Sequence, residues 1–132
     1  MDNDPFYVGL LILLRDPTDT TGRRLIVASD DFGFVDDDGV LWSAARYDTT
    51  DGASIPAYLK PLVGYSFEEP YLKASVLHDR YCRLKTRTWQ STAKMFRLGL
   101  ETSGVSRPRA FAMWSAVYSF GPHWPKPKEA SP

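Results

Sequence analysis

Val40-Leu41-Trp42-Ser43-Ala44-Ala45-Arg46-Tyr47-Asp48-Thr49, running into Thr50-Asp51-Gly52-Ala53-Ser54-Ile55-Pro56, is where this chain changes period. Before it, short apolar runs are punctuated by turn residues; after it, apolar residues recur every three to four positions. Residues 6–14 form a near-continuous apolar run, read as a buried strand, which ends at Asp16-Pro17 and a polar loop to Gly22. Residues 24–28, 32–35 and 40–44 read as further strands, and Asp36-Asp37-Asp38-Gly39 carries the Asp-Gly signature of a hairpin. The first 50 residues therefore predict an antiparallel β-meander.

Downstream the signals are helical. Ile55-Pro56 presets a helix entry that Ser54 can cap, so residues 55–63 predict a short helix or turn stopped by Gly64. Residues 70–84 place Ala74, Leu77, Tyr81 and Leu84 on one face. Thr88 is the N-cap of the next helix, with Trp89, Ala93, Phe96 and Leu100 inward and Gly104 as its stop. Ser106 caps the last helix, residues 107–120, whose Phe111, Met113, Trp114, Val117, Tyr118 and Phe120 make it apolar nearly all round. Such a helix is either fully buried or keeps a second face for a partner. Beyond Gly121 four prolines and no apolar period predict an extended tail, docked at most through Trp124. The expectation is one α+β domain over residues 1–121, a meander followed by three or four helices, with residues 122–132 as the tail.

Length and composition agree with a single domain: 132 residues, 43% of them hydrophobic, with ten prolines. The run at 6–14 falls short of the roughly 20 residues a spanning helix needs, and lacks the cationic start and cleavage site of a secretory signal. A lone Cys82 excludes an internal disulfide and fits a reducing compartment. The net charge of zero hides an asymmetry. Residues 1–55 carry eleven aspartates against four arginines, and residues 56–132 carry twelve bases against five acids. Two layers with complementary faces would explain this, as would an anionic partner for the basic half; the dispersal of the bases favours the first. There is no internal repeat, glycine-rich phosphate loop, nucleophile elbow or zinc cluster.

Two boxes concentrate the groups that can move protons or hold a cation: 50–56, with Asp51 and Ser54, and Leu77-His78-Asp79, which begins 21 residues after Pro56. Successive helical residues point about 100° apart, so His78 and Asp79 cannot form a base-orienter dyad with each other. They can flank a substrate, His78 as general base and Asp79 as ligand to a cation such as calcium. Equally, Asp79 and Arg83 form an ordinary i,i+4 pair and His78 a satisfied, half-buried side chain. Asp51 is placed to orient His78 or to ligate a cation, or else serves a Gly52 turn that Ser54 caps. Ser54 is a weak nucleophile candidate because no base adjoins it in sequence. Cys82, one turn from His78, is a second metal ligand or a small core residue.

The boxes Thr50–Pro56, Leu77-His78-Asp79, Phe96 and Ala116-Val117-Tyr118-Ser119-Phe120-Gly121 resemble a family of small phage and prophage proteins of unassigned function. That family is marked by T-D-G-A-S-I-P, an H-D helix, an A-D-x-x-F helix and a closing A-V-x-x-F-G, and the match spans residues 24–121. The resemblance implies a phage or prophage origin and leaves activity open. The H-D helix followed by a second helix is also similar to calcium-dependent His-Asp phospholipases. That similarity implies His78 as the water-activating base and Asp79 as a calcium ligand. The orienting positions depart from the pattern: Cys82 stands four after His78, Tyr81 one place early, and the D-x-x-F slot reads Ala93-Lys94-Met95-Phe96.

The sequence therefore predicts a phage-derived accessory or virion-associated protein, with the tail as one location, acting through binding. The alternative is a metal-dependent acyl or phosphoester hydrolase using His78, Asp79 and Asp51. The expected partners are other phage proteins or a second copy, through Trp114, Tyr118, Phe120 and Trp124; membrane lipid is a further candidate. Nucleic acid is disfavoured by the lack of a stacking platform or groove-reading motif. The expected location is the host cytoplasm during infection or prophage expression, or the virion.

Overall fold

A computed structural model of the chain describes residues 4–21, 24–50, 59–63 and 69–128. The fold is α+β: among the described residues, six short strands in two three-stranded antiparallel sheets, then helices. The strands are β1 (Phe6–Val8), β2 (Leu13–Arg15), β3 (Leu25–Val27), β4 (Gly33–Val35), β5 (Leu41–Ser43) and β6 (Thr49–Thr50). The first sheet has the order β1-β4-β5 and the second β2-β3-β6.

The apolar run at 6–14 is not the single buried strand its composition suggests. It splits into β1 and β2, which belong to different sheets. The corner is Gly9, whose φ of +71° is one that L side chains rarely adopt. A Cβ there would stand 2.0 Å from the Asp31 carbonyl oxygen, so only glycine fits. Because both sheets are then two-faced, half of the run points outward: Phe6, Leu10, Ile12 and Leu14 are all exposed.

Strand alternation sorts the first sheet. Tyr7, Phe34 and Trp42 are paired across β1, β4 and β5 and face inward; Phe6, Val35 and Leu41 form the matching outward row. The β4–β5 hairpin turns as its Asp-Gly signature predicts. Gly39 takes φ +77°, and one Asp36 carboxylate oxygen accepts from the backbone N–H groups of Asp38 and Val40. The other accepts from Trp42 Nε1 at 2.9 Å, which satisfies the indole of a side chain only 1% exposed.

Among the described residues four helices follow: α1 (Lys60–Val63), α2 (Glu69–Leu84), α3 (Trp89–Thr102) and α4 (Arg107–Phe120). Thr88 and Ser106 cap α3 and α4 by accepting from the N–H groups of Ser91 and Arg109. Gly104, at φ +97°, closes α3 while Val105 N–H returns to Leu100 O at 3.0 Å.

The α2–α3 pair lies between two apolar cores. One joins it to the sheets through Val27, Phe32, Phe34, Trp42, Leu77 and Met95. The other joins it to α4 through Ala74, Phe96, Leu100, Ala110, Met113 and Val117. The pair approaches closely at Gly99, where a Cβ would sit 3.1 Å from Ala74 Cβ and 2.8 Å from the Tyr7 hydroxyl. That hydroxyl donates to Gly99 O at 2.8 Å, and burial pushes its pKa up to about 12, so it stays a donor.

The tail docks through Trp124, which is 7% exposed and whose Nε1 donates to Arg87 O at 2.8 Å. The Arg87 guanidinium in turn lies 4.3 Å above the Trp42 ring and 4.9 Å above that of Tyr81, joining tail, α2 and first sheet. Among the described residues, no helix is long and apolar enough to cross a membrane.

Candidate functional site

The site expected where the two boxes meet divides along α2. His78 and Asp79, about 100° apart, reach different neighbours. His78 turns into the α2–α3 interface. It is 9% exposed, its ring centroid lies 5.0 Å from that of Phe96, and Cys82 Sγ lies 3.6 Å from both ring nitrogens. Burial lowers its pKa from 6.5 to about 4, so the imidazole is neutral at pH 7. The neighbouring thiol is pushed up to about 12, chiefly by burial and then by the Asp79 charge, so Cys82 is a neutral thiol at pH 7.

Asp79 turns instead to β6, where its Oδ2 accepts from Thr50 Oγ1 at 2.8 Å. Thr50 is the first residue of the 50–56 box, so the start of that box does meet the His-Asp helix. Asp51 and Ser54, the other members expected here, lie outside the described residues.

Sequence reasoning did not single out Asp48 and Arg80, which anchor this junction. Arg80 Nη1 donates to Asp48 Oδ2 at 2.6 Å, with both side chains largely buried. Arg83 adds a second cation 3.5 Å from Asp48 Oδ1 and donates to Thr49 O at 2.9 Å. A strained turn aims the carboxylate. Tyr47 sits at φ +74°, unusual for a bulky residue, and is fixed from both sides. Its N–H donates to Val27 O, and the N–H of Ala45 donates to Asp48 Oδ2 at 2.7 Å. The available signal was the charge asymmetry between the two halves. Asp48 with Arg80 and Arg83, and Lys94 with Asp37 and Asp38, are pairs of an early acid with a late base.

The carboxylates of Asp36, Asp37 and Asp38 also come together, but that of Asp36 serves the hairpin turn, and the Lys94 ammonium stands 3.4 Å from Asp37 Oδ1 and 3.8 Å from Asp38 Oδ2. A depression of about 360 Å³ is lined by Tyr7, Pro70, Lys73, Thr102 and Ser103, and a smaller one of about 220 Å³ borders the Asp36 hairpin and Lys94. Neither is lined by His78.

The four residues assigned to a partner surface separate. Trp124 is buried, its indole committed to Arg87 O, so it anchors the tail within the chain and is unavailable to a partner. Phe120 is 72% exposed but projects from a different side of α4 than Trp114 and Tyr118. Those two belong to a continuous row of rings: Phe111 to Trp114 at 5.5 Å, Trp114 to Tyr118 at 5.1 Å, Tyr118 to Trp89 at 4.8 Å and Trp89 to His123 at 3.7 Å. Arg97 lies over its Phe111–Trp114 end. Trp89 and His123 escaped sequence reasoning because their rings come from α3 and the tail rather than from α4.

This α+β arrangement, two small sheets on a helical pair with His78 and Asp79 of α2 near the junction, has a counterpart in sequence. Residues 27–117 match DUF1353, described as a protein family of unknown function, and the chain belongs to that family. It is 41% identical over 118 residues to the uncharacterized protein y4iH of Sinorhizobium fredii (strain NBRC 101917 / NGR234), a match covering 89% of this chain and 48% of that protein. It is 42% identical over 106 residues to the uncharacterized protein y4jT of the same strain, covering 80% of this chain and 32% of that protein. The chain thus spans about half the length of the first of these relatives and about a third of the second. No solved structure matches it significantly.

Proposed function

We propose that this chain is an accessory or virion-associated protein of phage or prophage origin that acts through binding, with the tail as one place of incorporation. The observation that carries the reading is the contrast between its polar junction and its surface. His78 is enclosed by Phe96 and Cys82 and is a poor base at neutral pH, whereas apolar and aromatic side chains stand in rows on two outer faces. A general base needs reach to its substrate and a pKa near the working pH. A binding protein needs a contiguous apolar surface.

A metal-dependent hydrolase remains the second reading because Thr50 and Asp79 bring the start of the 50–56 box onto the His-Asp helix. Inducing the bacterium that carries the gene and analysing purified particles by mass spectrometry tests the proposal. The chain should co-purify with particles through a density gradient. Its recovery only in the soluble fraction, free of any particle or particle protein, would refute it.

A further inference from the structure

β1, the first turns of α2 and the end of α3 border the depression of about 360 Å³. Pro70 and Lys73 stand three residues apart on one face of α2, and Thr102 and its neighbour Ser103, the C-cap, close α3 opposite them. Tyr7 reaches across from β1 between the two.

The polar groups of this depression are unlike those of the smaller one. Beside the Asp36 hairpin, Lys94 is answered by Asp37 and Asp38. Lys73 is the one charged side chain lining the larger depression among the described residues, and no carboxylate of a described residue pairs with it. Its ammonium lies 5.0 Å from the centroid of the Tyr7 ring. The three hydroxyls have already used their protons. Tyr7 donates to Gly99 O at 2.8 Å, Thr102 to Leu98 O at 2.8 Å, and Ser103 to the Tyr7 oxygen at 3.3 Å. A hydroxyl has one proton and two lone pairs, so Ser103 and Thr102 are left as acceptors. Burial keeps the Tyr7 phenol protonated at neutral pH, so it adds no negative charge.

A ligand that fits brings a negative group for Lys73, protons of its own for Ser103 and Thr102, and an apolar flank for the Pro70 and Tyr7 rings. A simple inorganic anion has no such flank. A phosphoryl group carries nearly two charges and three acceptor oxygens, against which this lining sets a single ammonium. A carboxylate-bearing sugar has all three features: one charge, hydroxyl protons and a C–H face. The volume lies at the small end of ligand sites and admits a sugar unit. We propose that this depression binds a uronic-acid unit, with its carboxylate on Lys73 and its hydroxyls donating to Ser103 and Thr102. It rests on the binding reading above and names a ligand for it, the acidic polysaccharide of a bacterial surface.

Titration of the full-length, ¹⁵N-labelled chain with glucuronate, followed by amide chemical shifts, tests the assignment. Glucose, acetate and inorganic phosphate at matched ionic strength are the comparison probes. Glucuronate should give saturable shifts at Lys73, Thr102 and Ser103, with glucose and acetate each much weaker. Lys73→Gln should weaken glucuronate binding roughly tenfold, the usual loss for one charge-assisted hydrogen bond, and Lys73→Arg should recover most of it. Thr102→Val, at an exposed position, should weaken glucuronate binding and leave any acetate response unchanged. Amide-shift dispersion confirms that each variant folds. Equal shifts with glucose would overturn the role of Lys73. Equal shifts with acetate or phosphate would show an adventitious ion only, and the absence of saturable shifts at these three residues would overturn the site. If the chain nevertheless co-purified with particles, the binding reading would stand without this ligand; glucuronate binding by a chain that never meets a particle would keep the site and refute that reading.

Discussion

His78→Leu should flatten the acid limb of this protein's stability curve. The imidazole lies between Phe96 and Cys82, and burial holds its pKa at about 4 against an ordinary value of 6.5. Between those two pH values the unfolded chain binds a proton that the folded chain refuses. The stabilisation of the neutral, buried form is therefore complete above pH 6.5 and is lost as pH falls toward 4. A depression of about 2.5 units corresponds to about 3 kcal/mol over the whole window, of which about 2 kcal/mol is lost by pH 5. That is a large share of the 5–15 kcal/mol typical of a domain. Carboxylates titrate in the same range; Asp16, for example, is held below the ordinary value chiefly by the Thr18 hydroxyl and its N–H. They are common to both proteins, so the difference between wild type and His78→Leu isolates the histidine. Urea unfolding at half-unit steps from pH 7.5 to pH 4.5, as about seven curves per protein, gives that difference from the midpoints. It should grow in favour of the variant as pH falls. In parallel, the His78 Cε1 resonance, assigned against a His123→Gln background, should not titrate above pH 5. A flat difference curve, or a His78 resonance with a midpoint near 6.5, would refute the enclosed imidazole.

Two further outcomes follow from the junction and the tail. Asp48→Ala should cost about 2–4 kcal/mol in urea unfolding at pH 7, because it strands the largely buried Arg80 guanidinium and removes the acceptor of the Ala45 N–H; Asp48→Asn should recover only the part due to hydrogen bonding. Trp124→Ala should cost about 2–3 kcal/mol, below the usual loss for a central core tryptophan because the tail can release without opening the cores. A cost under about 0.5 kcal/mol would show that residues beyond Gly121 do not belong to the folded unit.

Local signals in the sequence carried the helical half. Thr88, Ser106 and Gly104 act through their nearest neighbours, and each marks the helix end it was read to mark. The Asp-Gly hairpin was legible for the same reason. The run at 6–14 misled because composition alone cannot show a corner. Gly9 breaks it through the approach of Asp31, a contact more than 20 residues away. The site was legible in part. The 100° offset between His78 and Asp79 foretold that they would serve different neighbours, and Thr50 does meet Asp79. Asp48–Arg80 was hidden because nothing in either residue's local sequence marks it, only the opposed charge of the two halves. The aromatic row was hidden because the Trp89 and His123 rings come from outside α4.

Whether the chain binds or catalyses is tested most directly by fatty-acid release from phospholipid vesicles during a calcium titration at neutral pH, comparing wild type with His78→Asn. With the imidazole enclosed and neutral, release should stay at the level of the buffer at every calcium concentration and should be the same for both proteins. Calcium-dependent turnover by the wild type that disappears in His78→Asn would contradict the account and establish His78 as a general base.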